Sequence, residues 1–313
     1  MRIIKLVQRN SLIWQRRTLI ATAAAASSFF AGLFVPLGAG FELTSSFDFL
    51  LNFDTNSLEL SSLDDRVLVA QSEEIFARLF PFLETLEKEE KAALLKLSVP
   101  TSFQGKTINS IPLNNQQKLI ALTFDDGPWP DSTNNILYIL KQYNIKATFF
   151  LLGQNVQNFP ALAQQIANHG HALGNHTWNH PYHYHDEAAA AQQIDNTAAL
   201  IYKTTGIHTY LFRPPGGFLN NGLSAYANKK NHATVMWSAD SKDYQASPSL
   251  LARNVLDQAS PGGIILLHDG GGPRDNTVIA LPHIITQLQK QGYQFVTVPQ
   301  LMELKEQELG VPH

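Results

Sequence analysis

The chain has 313 residues, 44% of them hydrophobic and 16% charged, which suits a globular protein with one large domain plus accessory segments and excludes a disordered one. Its net charge of −3 gives no global reason to expect nucleic acid as a partner. The absence of cysteine excludes disulfide frameworks, thiolate zinc sites and cysteine nucleophiles.

Residues 1–17 carry Arg2, Lys5, Arg9, Arg16 and Arg17 without an acid, and no charge follows until Glu42. A basic start before an apolar run rich in small residues reads as an export signal. At about 1.5 Å per residue the run is also long enough to cross a bilayer. Residues 1–40 are therefore expected to be either a signal peptide or a membrane anchor. The protein is expected outside the cytoplasm: periplasmic, membrane-anchored or secreted. Residues 41–63 mix Ser, Asn, Asp and Leu without period and read as a linker. In 64–98, Ile75, Leu79, Phe82, Leu83, Leu86, Ala93, Leu94 and Leu97 recur at near-helical spacing, interrupted by Pro81. This predicts a helical accessory segment in two pieces. Residues 99–117, with Pro100 and Pro112, read as a second linker.

From Lys118 the texture changes. Strands are predicted at 119–124, 147–152, 211–212, 234–237, 264–267 and 295–298, and helices at 131–143, 160–169, 186–205, 249–258 and 277–291. The alternation predicts an α/β domain over 118–305, with a parallel sheet covered by helices.

Parallel strands present ligand sites at their carboxyl ends, and the chemistry-bearing residues fall there. Thr123-Phe124-Asp125-Asp126-Gly127-Pro128 puts two carboxylates at the end of the first strand. In extended chain they point opposite ways, so one faces a metal and its neighbour faces the reacting water. His176-Thr177-Trp178-Asn179-His180 puts two imidazoles at i and i+4, a spacing that brings both rings to one side of a helix. No glutamate of the HExxH type accompanies them, so the general base falls to Asp125. One carboxylate and two imidazoles make a metal site with open positions, the equipment of metal-assisted hydrolysis. His183 and His185 read either as a solvated tract or as a secondary metal contact. In Arg213-Pro214-Pro215-Gly216-Gly217 the prolines fix the chain and the glycines let backbone approach a ligand. Arg213 is expected to pair with a carboxylate, and a backbone N–H near Gly216 to stabilise an oxyanion. His268 ends a buried strand and suits a general acid, with Asp243 placed to fix its tautomer.

These blocks resemble the polysaccharide deacetylases, the NodB-homology or carbohydrate esterase 4 family. Thr123 to Pro128 is similar to its TFDDGP block and His176 to His180 to H[ST]xxH. Arg213, Pro215 and Gly217 are similar to RxPxG, Asp240 to Tyr244 imperfectly to DxxDW, and Leu266 to His268 to LxH. The resemblance implies a distorted (β/α) barrel of about seven strands. It implies that Asp126, His176 and His180 hold one divalent metal, zinc in the first place, with Co2+, Mn2+ or Ni2+ as alternatives. It makes Asp125 the general base, Arg213 its partner, His268 the general acid and Asp243 its orienting group. Leu266 would line a pocket for the acetyl methyl. Gly216 stands where the family often has tyrosine, and Tyr244 where tryptophan is common. The expected activity is removal of N-acetyl groups from N-acetylglucosamine-type polysaccharide, peptidoglycan or chitin-like. The alternatives are O-acetyl ester cleavage on a xylan-type polymer and an inactive carbohydrate-binding module.

Overall fold

A seven-residue strand buried along its whole length, β2 (Leu119–Asp125), is the axis of the molecule. The computed structural model describes residues 99–114 and 117–310. The expected signal or anchor (1–40), linker (41–63) and helical segment (64–98) lie outside the described residues. The other strands are β1 (Thr107–Ile108), β3 (Thr148–Leu151), β4 (Ala172–Asn175), β5 (Leu211–Phe212), β6 (Ala233–Val235), β7 (Ala239–Asp240), β8 (Gly263–His268) and β9 (Gln294–Phe295). The helices are α1 (Pro130–Gln142), α2 (Gly153–Asn158), α3 (Pro160–Asn168), α4 (Glu187–Thr205), α5 (Leu223–Lys229), α6 (Pro248–Gln258), α7 (Asp275–Lys290) and α8 (Val298–Glu308).

The strand order is β1-β6-β5-β4-β3-β2-β8-β7, with β9 paired to the start of β2, and every named pair is parallel. Only residues 236–238 separate β6 from β7, yet the two lie six places apart in that order. A flat sheet would put them about 29 Å apart at roughly 4.8 Å per strand. Four Cα steps reach about 14 Å. The sheet must therefore curl until its edges approach, which is the distorted barrel that the motifs imply.

Parity along the strands divides the interior from the exterior. Ile120, Leu122 and Phe124 of β2, Phe149 and Leu151 of β3, and Ile265 and Leu267 of β8 face outward. There they pack on Ile136, Leu137 and Leu140 of α1, Leu251 and Val255 of α6, and Leu281, Ile284, Ile285 and Leu288 of α7. The opposite parity carries Leu119, Ala121, Phe150 and Ile264, which pack with Val298, Leu301 and Met302 of α8 inside the curl. Further along the same inner faces come Thr123 and Asp125 on β2, and Leu266 and His268 on β8. One face of each strand thus turns from apolar to polar toward its carboxyl end, where the site is built.

Two sequence expectations change. Residues 99–117 are not merely a linker, because β1 pairs with β6 and Val99, Phe103 and Ile111 are buried with the inner cluster. Thr101 Oγ1 and the Ser102 N–H donate to Glu306 on α8, at 3.2 and 3.0 Å. The folded body therefore begins before Lys118, and its last helix runs past residue 305 to Glu308. The apolar strand predicted to 298 stops at Phe295. Thr297 and Gln300 form a capping box and open α8 instead. Among the described residues no helix is long and apolar enough to cross a membrane.

Candidate active site

Asp125 and Asp126 end β2 in different conformations. Asp125 is still in register, opposite His268 of β8, whereas Asp126 has a φ of 71°. The extended-chain picture holds for the first carboxylate only. The left-handed turn at Asp126 separates the two side chains. Asn155 of α2 donates to the Asp126 carbonyl at 2.7 Å, and Leu152 N–H donates to the Gly127 carbonyl at 3.0 Å. A Cβ at Gly127 would collide with the carboxylate of Asp269, so only glycine lets this turn sit down on that buried side chain. Thr133 Oγ1 donates to Asp269 Oδ2 at 2.5 Å. Burial pushes the Asp269 carboxyl up to about 7 against that hydrogen bond.

His176 and His180 do not lie on a helix, contrary to the spacing argument. They sit in the loop after β4, where Thr177 and His180 have φ of 74° and 59°. The loop is held by side chains. Asn175 Oδ1 accepts from Thr177 N–H at 2.9 Å, Thr177 Oγ1 from His180 N–H at 3.1 Å, and Gln193 Oε1 from Trp178 N–H at 2.9 Å. The rings nevertheless converge, with centroids 5.0 Å apart. His176 Nδ1 lies 2.7 Å from the Arg213 carbonyl. A carbonyl only accepts, so Nδ1 carries the proton and Nε2 is left with its lone pair toward the site. Burial lowers the His176 pKa to about 3, which keeps the ring neutral.

Asp126 Oδ1 lies 3.5 Å from His176 Nε2 and 3.4 Å from His180 Nε2. That oxygen is buried and has no hydrogen-bond partner. An orphaned carboxylate oxygen facing two imidazole nitrogens, with the donor atoms within 4.8 Å of one another, fits a divalent cation. His183 and His185 do not join this group among the described residues. Their rings stack at 4.4 Å, and His185 Nδ1 bonds the His183 carbonyl at 2.8 Å.

Beside that group lies a fully buried arginine. Arg213 Nη1 reaches Asp125 Oδ1 at 2.7 Å and Thr123 Oγ1 at 2.8 Å. Its Nε and Nη2 reach the carbonyls of Val235 and Met236 at 2.9 and 3.1 Å, and its guanidinium lies 4.1 Å above the Phe150 ring. Burial raises the pKa of Asp125, opposed by the charge of Arg213. Across the strand, His268 Nδ1 lies 2.6 Å from Asp243 Oδ1. Asp243 Oδ2 accepts from the His268 N–H at 2.8 Å and from Thr277 Oγ1 at 2.7 Å. Burial works against the imidazolium, but the Asp243 hydrogen bond and charge outweigh it and raise His268 to about 9. Leu266 is buried on the same face of β8. Tyr244 is exposed and stands perpendicular to the His268 ring at 6.1 Å. Gly216 lies in a tight turn with φ of 60°. Asn155, Gln193, Thr277 and Asp269 were not singled out by sequence reasoning. Each has its partner far away in sequence, so no local pattern marks it.

A curled parallel sheet that gathers carboxylates, imidazoles and a buried arginine at its strand ends is built as a metal-dependent hydrolase. The polysaccharide deacetylase family model matches residues 113–235. A peptidoglycan-N-acetylglucosamine deacetylase of Bacillus cereus is 42% identical over 197 residues, covering 61% of this chain and 91% of that protein. A bifunctional xylanase/deacetylase of Pseudobutyrivibrio xylanivorans is 43% identical over 212 residues, covering 66% of this chain and 34% of that protein. A crystal structure of a peptidoglycan N-acetylglucosamine deacetylase superposes with a TM-score of 0.59 at 40% identity, covering 63% of this chain and 92% of that one. The chain belongs to the polysaccharide deacetylase family, carbohydrate esterase family 4. It is a hydrolase of a metal-dependent family.

Proposed function

We propose that this protein removes N-acetyl groups from N-acetylglucosamine units of an envelope or extracellular polysaccharide, peptidoglycan first and chitin-like polymers second, and releases acetate. The observation that carries the reading is the orphaned Asp126 oxygen between two imidazole nitrogens, with Asp125 beside it paired to Arg213. Asp126, His176 and His180 would hold one divalent cation, zinc in the first place and Co2+, Mn2+ or Ni2+ as alternatives. Bound there, the cation supplies Lewis-acid polarisation of the acetyl carbonyl and acidifies water.

The remaining steps belong to the chain. Asp125 accepts a proton from the attacking water, and Arg213 holds its carboxylate in place. As the carbon becomes tetrahedral, a backbone N–H near Gly216 donates to the developing oxyanion. Asp243 occupies Nδ1 of His268, so Nε2–H faces the substrate and protonates the departing amine. The C–N bond breaks, a C–O bond has formed, and acetate and a free amino sugar result. Leu266 contacts the acetyl methyl, and Tyr244 borders the sugar. Residues 1–40 would carry the chain out of the cytoplasm, where such a substrate lies, as a cleaved signal or a retained anchor.

The xylanase/deacetylase relative favours a second reading, O-acetyl ester cleavage on a xylan-type polymer. Acetate release from peptidoglycan, N-acetylglucosamine oligomers and acetylxylan, each with and without EDTA, tests both. Chelator-sensitive release from the first two is expected, and release from acetylxylan alone would replace the proposal with the esterase. Sugar binding without acetate release in metal-supplied protein would make the chain an inactive binding module.

A further inference from the structure

Gly216 has no side chain, yet the space beside it is not empty. A Cβ built on Gly216 would lie 2.9 Å from Phe218 Cε2 and 3.0 Å from Tyr182 Cε1. Tyr182 comes from the loop two residues after His180, and Phe218 from the far side of the glycine turn. Their rings meet edge to face, with centroids 5.9 Å apart and planes at 89°. Tyr182 in turn stands perpendicular to the His180 ring at 4.9 Å. Both aromatics are large and half in water, 58% and 51% exposed. Two adjacent apolar rings left exposed at the rim of a buried polar site mark a place where something docks.

We propose that Tyr182 and Phe218 form a sugar-stacking subsite that holds the saccharide unit next to the one being deacetylated. The inference rests on the polysaccharide reading above and adds to it the residues that select for polymer length. The chemistry fits the occupant. A β-linked pyranose presents C–H groups on its faces and hydroxyls at its rim. The negative face of an aromatic ring attracts the former, and the Tyr182 hydroxyl is available to the latter. The perpendicular rings make a corner that grips one sugar unit from two sides. Glycine at 216 is then part of the arrangement, since its φ of 60° and missing Cβ let the two rings close over the turn.

The test uses the full-length metal-loaded enzyme on N-acetylglucosamine dimer and tetramer and on 4-nitrophenyl acetate, with metal content measured for every variant. Phe218→Ala leaves the metal-facing residues alone, because its ring contact is with Tyr182, and Tyr182→Leu keeps apolar bulk while removing the ring. Each is expected to lower kcat/KM on the tetramer by about tenfold, the loss lying in KM, as for a contact made equally in ground and transition state. The preference for tetramer over dimer should shrink accordingly, and Phe218→Trp should restore it. Equal losses on the tetramer and on the small ester, or an intact length preference, would overturn the subsite. An enzyme inert on every N-acetyl sugar would sink the deacetylase reading instead. Calorimetric binding of the tetramer would then decide the subsite, upheld if weakened about tenfold in Phe218→Ala and overturned if unchanged.

Discussion

At the scale of single residues, the site works by giving similar groups different surroundings. His176 is a buried imidazole and His268 a partly exposed one, and the first is held neutral and the second charged. The difference is burial and partner: burial dominates at His176, whose Nδ1 has only a backbone carbonyl, whereas the carboxylate of Asp243 outweighs it at His268. A proton donor must be protonated to act, so activity should fall as pH rises through about 9, the raised value of His268. Asp243→Asn removes the main cause of that rise, and the basic limb of the kcat profile should move to lower pH. His268→Ala should cost about 10² to 10⁴ in kcat on an N-acetyl substrate and less on an O-acetyl one, whose alkoxide leaves more readily. An unmoved basic limb in Asp243→Asn would remove His268 from the role. Arg213 carries a different kind of consequence. Its guanidinium is fully buried and bonded to Asp125, Thr123 and two carbonyls. Arg213→Met strands the buried Asp125 without a counter-charge, which should destabilise the fold by about 3 to 5 kcal/mol in urea unfolding. Arg213→Lys recovers the charge but not the fork, so it should recover only part of the loss.

At the scale of elements, the sequence was most legible where a strand is buried on both faces. Leu119 to Phe124 reads as a strand because nearly every side chain is apolar, and the polar residues beyond it can only lie at its end. β4 received no bounds from the sequence, although His176 was placed after a strand, because Ala172-Leu173-Gly174-Asn175 has little strand propensity. Gly174 is there for packing, since a Cβ would run into the Phe150 ring. α8 was missed although Thr297 and Gln300 carry a capping signature, because the apolar residues before it drew attention to a strand. The spacing of His176 and His180 suggests a helix, whereas their rings, with centroids 5.0 Å apart, sit on a loop. A loop punctuated by left-handed residues brings i and i+4 together as well, and beside the local bonds of Asn175 and Thr177 it is held by Gln193, which local sequence does not reveal. Gln193 on α4 accepts from Trp178 and Asn179 N–H and donates to the Asn179 side chain. Gln193→Ala should let the loop drift, and with it His180. The expected result is metal affinity weakened by about 10 to 100-fold in a competition titration. Unaltered affinity would mean that the loop holds its shape without this helix.

At the scale of the whole molecule, the curl that brings five strand ends to one rim leaves the opposite end of the barrel to be filled. Val298, Leu301 and Met302 of α8 fill part of it. Among the described residues, 99–114 fill more of it, with β1 added to the sheet edge, Ser110 bridged to Gly263, and Val99, Phe103 and Ile111 turned inward. Sequence reading put the domain start at Lys118 because prolines and polar residues in 99–117 have the texture of a connection. The few apolar residues among them close the bottom, and no local pattern announces that. Ile111 is 2% exposed, and its N–H donates to the Gly262 carbonyl at 2.8 Å, next to the first residue of β8. It therefore packs at the amino end of the strands whose carboxyl ends carry Asp125 and His268. Ile111→Ala leaves a cavity in the inner cluster that also holds Leu119, Ile264 and the α8 side chains, which should cost about 2 to 5 kcal/mol in denaturant unfolding. The damage lies at the far end of the same strands, so the loss should appear as a lower midpoint with kcat near that of the parent at temperatures where both are folded. A fall in kcat without a fall in stability would show that the two ends of the barrel are coupled more tightly than packing alone requires.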